Sequence, residues 1–382
     1  MPNIRHQFLI IAPKIQWFTM RSFTPFGDPW QMPIALPYSL LVKDGELAWT
    51  CGQVAIDKAS RVLAPDDLVG QTEIVCDYIE SILGHSGIGP DALGKLVLYF
   101  VERRPGDAER MMGCCQARFG DRPVLVPIAV PHFYFDGLML EVDAFVGSPG
   151  GRSIERSSGQ AKAKVTDGGD IAWAALMVDP AKLAEGGALL QSALAEFGLN
   201  AGQRLSEHWI APAAREGRPR LSTIAEALGR MNLLSDEGAV VESTDPDALL
   251  VGEITYVKGL TSPVIALSKE VRGVKITTRR SGRFSWFAAR SFDGSLGLVP
   301  QTSSMMTALA ETLNDQGLDF AAVVKSTSHY VGDSSADELF DNMTIRNGYY
   351  PKPGPASTGL PVAGFADANS RIAVDFLALR SL

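Results

Sequence analysis

Glu141 sits in the apolar run Leu138-Met-Leu-Glu141-Val-Asp143-Ala-Phe-Val146. A carboxyl in such a run costs free energy unless it is paired, so it either meets a cation or serves as an acid whose pKa its surroundings adjust. Two similar runs follow, Leu249-Leu-Val-Gly-Glu253-Ile-Thr-Tyr-Val257 and Ile372-Ala-Val-Asp375-Phe-Leu-Ala-Leu379, and they align Glu253 and Asp375 with Asp143. Ala373 stands where Glu141 stands, with Asp375 on the same strand face two residues on. Glu253 and its counterparts read as pairing groups. Ser357-Thr358-Gly359 offers hydroxyls and backbone N–H groups suited to an anion or a carbonyl. Arg122 and Arg290 carry the planar fork that grips a carboxylate. Cys51 has no local histidine to activate it and reads as a small buried hydrophobe before a nucleophile. His208 and His329 end strands and read the same way, as structural residues before general bases.

Bulk properties narrow the function classes. The chain has 382 residues, 46% of them hydrophobic, which suits two or three domains with cores of their own. Its formal net charge is −8, whereas phosphate binding needs a basic face, so nucleic acid is not an expected partner. Lys275, Arg279, Arg280 and Arg283 cluster locally and read as a solvated strand end. The cysteines Cys51, Cys76, Cys114 and Cys115 form no CxxC pair. The five histidines lack ligand partners at helical or hairpin spacing, so no metal and no organic cofactor is expected. Cysteine usage and the lack of a signal-peptide pattern point to a cytoplasmic protein. No apolar stretch approaches the roughly 18 residues of a membrane span, so no membrane partner is expected.

The elements that must position these residues repeat three times. Each copy opens with a β-prone run carrying tryptophan fourth: Glu46-Leu-Ala-Trp49, Asp170-Ile-Ala-Trp173 and Arg283-Phe-Ser-Trp286. The tryptophans read as core. An amphipathic helix follows, apolar at Val75, Ile79 and Leu83, at Leu183, Leu190 and Leu194, and at Met305, Leu309 and Leu313. Each helix stops at a glycine (Gly87, Gly198, Gly317), the residue suited to the left-handed position after a last turn. A second strand (96–101, 205–210, 323–331), a second helix (107–118, 221–234, 336–347) and the closing strand (138–146, 249–257, 372–379) complete each copy. Leu68-Val-Gly-Gln71-Thr72 matches Leu298-Val-Pro-Gln301-Thr302 at the same distance from the helix-end glycine. The result is an α+β chain of three tandem modules, 37–147, 160–258 and 272–382. The Gly/Ser/Arg-rich stretch 147–159 and the stretch 258–272 read as linkers. An N-terminal extension, 1–36, contains Trp17, Phe18, Phe23, Phe26 and Trp30 and should pack on the first module.

In the first copy, Pro37-Tyr38-Ser39, Cys51-Gly52-Gln53, Gln71-Thr72 and Ser86-Gly87 resemble the Pro-Tyr-Ser, Ser-Gly-Gln, Gln-Thr and Ala-Gly landmarks of the Rid/YjgF family. In the third, Pro355-Ala356-Ser357-Thr358 resembles that family's Pro-Ala-Arg-Ser segment. The resemblance covers roughly 37–146 and 272–381 and is weak over 160–258. It implies the family's chorismate-mutase-like module, a mixed β-sheet with two helices on one face. It also implies a ring of three with a ligand crevice at each boundary, so that one chain is a monomeric pseudo-trimer, larger assemblies being left open. The family's deaminases are cofactor-free enamine/imine hydrolases. In them an arginine grips the substrate carboxylate, a backbone N–H and a small hydroxyl position the imine, and a closing-strand acid holds water. By this resemblance Tyr38 and Glu141 take the ligand-side tyrosine and water-holding acid positions, and Cys51 replaces a serine. Two alignments leave the arginine open. One puts Arg122 there; the other equalises the stretches from Pro123 to Glu141 and from Pro355 to Ala373 and puts Leu125 and Ser357 there. The expected site lies between copies one and three, with Glu141 catalytic and Tyr38, Cys51, Arg122, Arg290, Ser357 and Thr358 binding a small carboxylate-bearing substrate. Copy two is expected to be structural. A chorismatase-like hydrolase or lyase and a non-catalytic ligand- or protein-binding scaffold are the alternatives. An acid and an arginine sharing one crevice would favour hydrolysis.

Overall fold

Three mixed sheets follow one another along the chain in a computed structural model that describes residues 21–26, 34–214, 219–234, 240–259, 263–332 and 335–380. The first module comprises β1 (Ser22–Pro25), β2 (Ser39–Asp44), β3 (Leu47–Thr50), β4 (Gln53–Val54), α1 (Leu68–His85), β5 (Leu93–Phe100), α2 (Asp107–Phe119), β6 (Val124–Ala129) and β7 (Leu140–Val146). The second has β8 (Ser153–Ser158), β9 (Ala161–Asp167), β10 (Ile171–Val178), α3 (Leu183–Ala195), β11 (Arg204–Ala211), α4 (Leu221–Arg230), β12 (Val240–Glu242) and β13 (Leu250–Val257). The third has β14 (Ile265–Val271), β15 (Val274–Ser281), β16 (Phe284–Ser291), α5 (Leu298–Asp315), β17 (Val323–Tyr330), α6 (Ala336–Asn347), β18 (Ala356–Pro361), β19 (Gly364–Phe365) and β20 (Ile372–Leu379).

The strand orders correspond: β1-β2-β3-β7-β5-β6, β8-β9-β10-β13-β11-β12 and β14-β15-β16-β20-β17-β18. In each sheet the closing strand is antiparallel to its central neighbour, and the last two strands, β5/β6, β11/β12 and β17/β18, are parallel. Period-two alternation sends Leu140, Val142, Ala144 and Val146 of β7 towards the helices, where they meet Val75, Ile79 and Leu83 of α1 and Met111 and Cys115 of α2. Burying each large apolar side chain contributes about 1.5–3 kcal/mol. The other modules repeat this sheet-on-helix core. Gly87, Gly198 and Gly317 end their helices at φ +66°, +64° and +66°.

The opposite faces of the three sheets share one apolar cluster that contains Trp49, Trp173 and Trp286. Trp173 lies against Gly94 of the first module, where a Cβ would fall 2.0 Å from its ring. Contacts between modules run head to tail: β6 packs on β10 and β13, β11 on β15 and β16, and β18 on β2 and β3.

Asp143, Glu253 and Asp375 occupy matching register positions, opposite Val97, His208 and Thr327. Each takes a cation from another module. Lys95 of the first meets Glu253 of the second, His208 Nε2 of the second lies 3.0 Å from Asp375 of the third, and Lys325 of the third lies 2.8 Å from Asp143 of the first. Burial opposes protonation of His208, but Asp375 and Glu253 outweigh it and raise its pKa to about 10. Lys95→Met should therefore lower the unfolding free energy by at most about 3–5 kcal/mol, because Glu253 stays buried with His208 as its remaining partner. An unchanged urea midpoint would show that this pair carries no such weight.

Several expectations need correction. The stretches 147–159 and 258–272 contain strands, since β8 pairs with β9 and β14 with β15. Both are edge strands, whose solvent side favours polar residues and so imitates a linker. Arg279 does not belong to a solvated strand end; it is buried and holds Glu207 Oε1 at 2.6 Å, and Arg283 pairs with Asp44. Of the N-terminal aromatics, Phe23 lies on β1 and packs against the shared cluster and Phe26 against the third module's core, while Trp17, Phe18 and Trp30 lie outside the described residues. Among the described residues, no helix is long and apolar enough to cross a membrane.

Candidate functional site

Glu141 is seated by a bulge. β3 pairs with β7 through Ala48↔Val146 and Trp49↔Phe145, and β4 through Gln53↔Val142 and Val54↔Glu141. Between these pairs Thr50, Cys51 and Gly52 face only Ala144 and Asp143, so one residue is extra. The matching strand of the third module, β16, runs along β20 without interruption. The bulge brings Gly52 under the Glu141 carboxyl: a Cβ on Gly52 would lie 1.7 Å from Oε1. Gly52→Ala should thus displace the carboxyl and shift its titration midpoint while leaving the circular dichroism spectrum unchanged, and an unmoved midpoint in that variant would mean the seating is irrelevant.

The carboxyl faces a cavity of about 140 Å³ between modules one and three. Tyr38, Cys51 and Glu141 line it from the first module, and Ser357, Gly359 and Arg346 from the third. Ser39 N donates to Pro355 O at 3.1 Å, and the Tyr38 ring meets Tyr350 edge to face at 5.7 Å, so the two modules are joined along one wall. Burial pushes the Glu141 carboxyl up, the Asp143 charge adds to this and Lys325 opposes it, leaving it at about 8. Burial likewise pushes the Cys51 thiol up to about 12. Cys51 is a thiol at neutral pH, held 3.2 Å from the Gln53 amide, and lacks the character of a nucleophile. Burial raises the Tyr38 hydroxyl too; it faces Arg346 and Ser357.

Arg346 comes from the last turn of α6. Its Nη1 donates to Ser328 Oγ at 2.7 Å and its Nε to Asn342 Oδ1 at 2.9 Å. Gly359 makes room for the guanidinium, since a Cβ there would lie 3.1 Å from Nη2. Arg346 is buried, and no carboxylate pairs with it among the described residues.

Three expected binding residues stand elsewhere. Arg122 does not enter the crevice, because its guanidinium is taken up by the carbonyls of Leu93, Ser148, Gly151 and Asp167 at 2.6–2.9 Å, which clamps the first module to the second. Thr358 points the other way from Ser357, into the sheet interior, where it meets Lys325 and Asp143. Arg290 is buried on β16 opposite Ala373 and does not line the cavity.

Register gives each boundary its counterpart of the Val54–Glu141 pair: Met177–Val251 and Arg290–Ala373. The first counterpart lines a concavity of about 710 Å³ between modules one and two. Its rim holds Glu102, which burial and then Asp245 push up to about 7, but its floor has Val251 where the smaller cavity has its acid. At the other boundary β19 of the third module pairs with β12 of the second, with Phe365 buried.

The Gln-Thr landmark is structural. Gln71 bonds Ala64 O, Gly137 O and Met139 N, and Gln301 bonds Asn369 O and Arg371 N, so each ties its helix to the approach of the closing strand. Among the described residues no group of three or more His, Cys, Asp or Glu is placed to hold a metal.

No protein-family model and no curated protein matches the chain. Solved structures of the Rid/YjgF group are similar to it. A putative endoribonuclease from Thermotoga maritima shares 23% identity over 34% of this chain and 99% of its own, with TM-score 0.29. A YjgF/YER057c/UK114 family member from Mycobacterium tuberculosis shares 22% over 33% and 98%, with TM-score 0.28. RidA from an Antarctic Psychrobacter shares 18% over 32% and 97%, with TM-score 0.28. Each thus spans about one module.

Arg346 escaped the sequence reading, which sought the arginine at Arg122 or at the position held by Leu125 and Ser357. The available signal was Asn342 and Arg346, one helical turn apart on α6.

Proposed function

We propose that the chain is a cofactor-free hydrolase that converts an imine or enamine of a small carboxylate-bearing metabolite to the carbonyl compound and ammonia, at the boundary of modules one and three of a single-chain pseudo-trimer. One observation supports it above the others: Glu141 and Arg346 line the same cavity, and neither is neutralised by an ion pair there.

The chemistry follows from those two groups. Arg346 grips the substrate carboxylate with its remaining N–H donors, and Ser357 and Tyr38 bound the same end. The Glu141 carboxyl, held near 8, is mostly protonated at neutral pH. It gives its proton to the imine nitrogen, or to the enamine carbon first, and becomes a carboxylate. That carboxylate takes a proton from the water that bonds to the former C=N carbon. Glu141, protonated again, gives its proton to the amine nitrogen and takes the hydroxyl proton as the C–N bond breaks, so ammonia leaves, the C=O bond forms and Glu141 ends in its starting state. One group acts as acid and then as base, with a pKa close to the working pH.

Because the reacting form carries the proton, kcat/KM should fall as pH rises through about 8. The assay generates a 2-imino acid with an amino-acid oxidase and traps what survives with semicarbazide. The folded chain should cut the trapped fraction, and no cut at stoichiometric protein would refute the reading. The same proposal completes the three modules within one chain, larger assemblies of such chains being left open, and places the protein in the cytoplasm.

A further inference from the structure

Lys325 belongs to the third module, yet its ammonium is buried against the first. Nζ lies 2.8 Å from Asp143 Oδ1 and donates to Thr50 O at 3.0 Å and to Thr358 Oγ1 at 2.9 Å. Thr358 in turn donates to Asp143 Oδ1 at 2.5 Å. Thr50 is the residue at which β3 leaves its ladder with β7, and Asp143 is two residues from Glu141 on the same strand face. We propose that Lys325 is a positioning residue of the Glu141 site, supplied across the module boundary: it pins the bulge that seats Glu141 and is the fixed positive charge behind that carboxyl.

Register shows why only this boundary has the device. Lys95 and Ser206 are the counterparts of Lys325, opposite Phe145, Thr255 and Leu377 on the closing strands. Lys95 meets Glu253, on a strand whose matching acid position is Val251. Ser206 carries no charge, and the third module that follows it has Ala373 and an unbroken β16. The lysine, the bulge and the acid therefore coincide once.

The charged and titratable groups that act on Glu141 come from four parts of the fold. Asp143 lies on β7 itself, Cys51 on the bulge, and Lys325 with Tyr330 on β17; Tyr99 on β5 is also coupled to it. Among the causes of the Glu141 shift, Asp143 raises it and Lys325 lowers it, after burial. The two charges are thus opposed.

The inference rests on Glu141 as the acid of the site but is read without turnover. The probe is the side-chain carboxyl 13C resonance of Glu141, assigned by its loss in Glu141→Gln and titrated over pH. Asp143→Asn should move the midpoint down and Lys325→Met should move it up, each by about 1 unit. Lys325→Arg should stay near the wild-type value. Midpoints that do not move, or that move together in both neutralising variants, overturn the proposal, because a merely structural lysine predicts no opposed signs. Should Lys325→Met fail to fold, with Asp143 left buried and unpaired, Asp143→Asn is compared with the Lys325→Met/Asp143→Asn double variant. The double variant must titrate higher than Asp143→Asn alone; an equal or lower midpoint overturns the proposal. A chain that shows these shifts yet turns over no imine would fail the functional reading and leave the positioning role standing.

Discussion

Glu141→Gln should keep the fold and lose about 10²–10⁴ of the hydrolytic rate, the usual cost of removing a positioned acid. Glu253→Gln should not do so per folded molecule, because Glu253 is paired with Lys95 and His208 and lines no part of the Glu141 cavity. Equal, small losses from the two changes would show that the acid is misassigned. The same substitution carries a stability signature. The folded-state pKa of Glu141, about 8, lies above the ordinary 4.5. A group raised in this way contributes its stability below its unfolded pKa and loses it as pH climbs through the folded value. Wild type and Glu141→Gln should therefore melt together near pH 4, and the variant should melt higher by roughly 2–5 °C at pH 8–9. A variant that melts lower at every pH would instead mean that Glu141 is a stabilising structural pair.

Arg346→Met should lower kcat/KM by about 10²-fold, since it removes the charged donors proposed to hold the substrate carboxylate. Arg346→Lys should recover little of this, because an ammonium keeps the charge without the planar fork. Ser328 and Asn342 lose a partner in both variants, so urea denaturation must accompany the kinetics. A substrate analogue without its carboxylate should lose the same factor against wild type and nothing further against Arg346→Met. Additive losses would place the carboxylate elsewhere.

The module pattern was legible because the signals that carry it are local. Tryptophan in a β-prone run, helical spacing of apolar residues and a glycine at the left-handed helix end all act within a few residues of one another. The ends of α6 and β20 agree with the sequence reading for that reason. The edge strands β8 and β14 were lost because half their neighbours are solvent, which removes the apolar alternation. Of the candidate residues, those read from the module that holds Glu141 do line one cavity, Tyr38, Cys51 and Glu141 together with Ser357. The site was illegible where a side chain crosses a boundary. Lys325, Arg346 and the ring of ion pairs are set by how modules meet, and no spacing along the chain encodes that. Arg122 shows the converse: a correct type near the right landmark, with four of its five donors already spent on carbonyls.

The central claim is that one boundary of three binds a carboxylate and does so through Arg346. Calorimetric titration with a stable 2-oxo acid, the proposed product, tests it. The account predicts one site per chain in wild type and in Glu253→Gln, and loss of binding in Arg346→Met. Two or three equivalent sites, or unchanged binding in Arg346→Met, would contradict it.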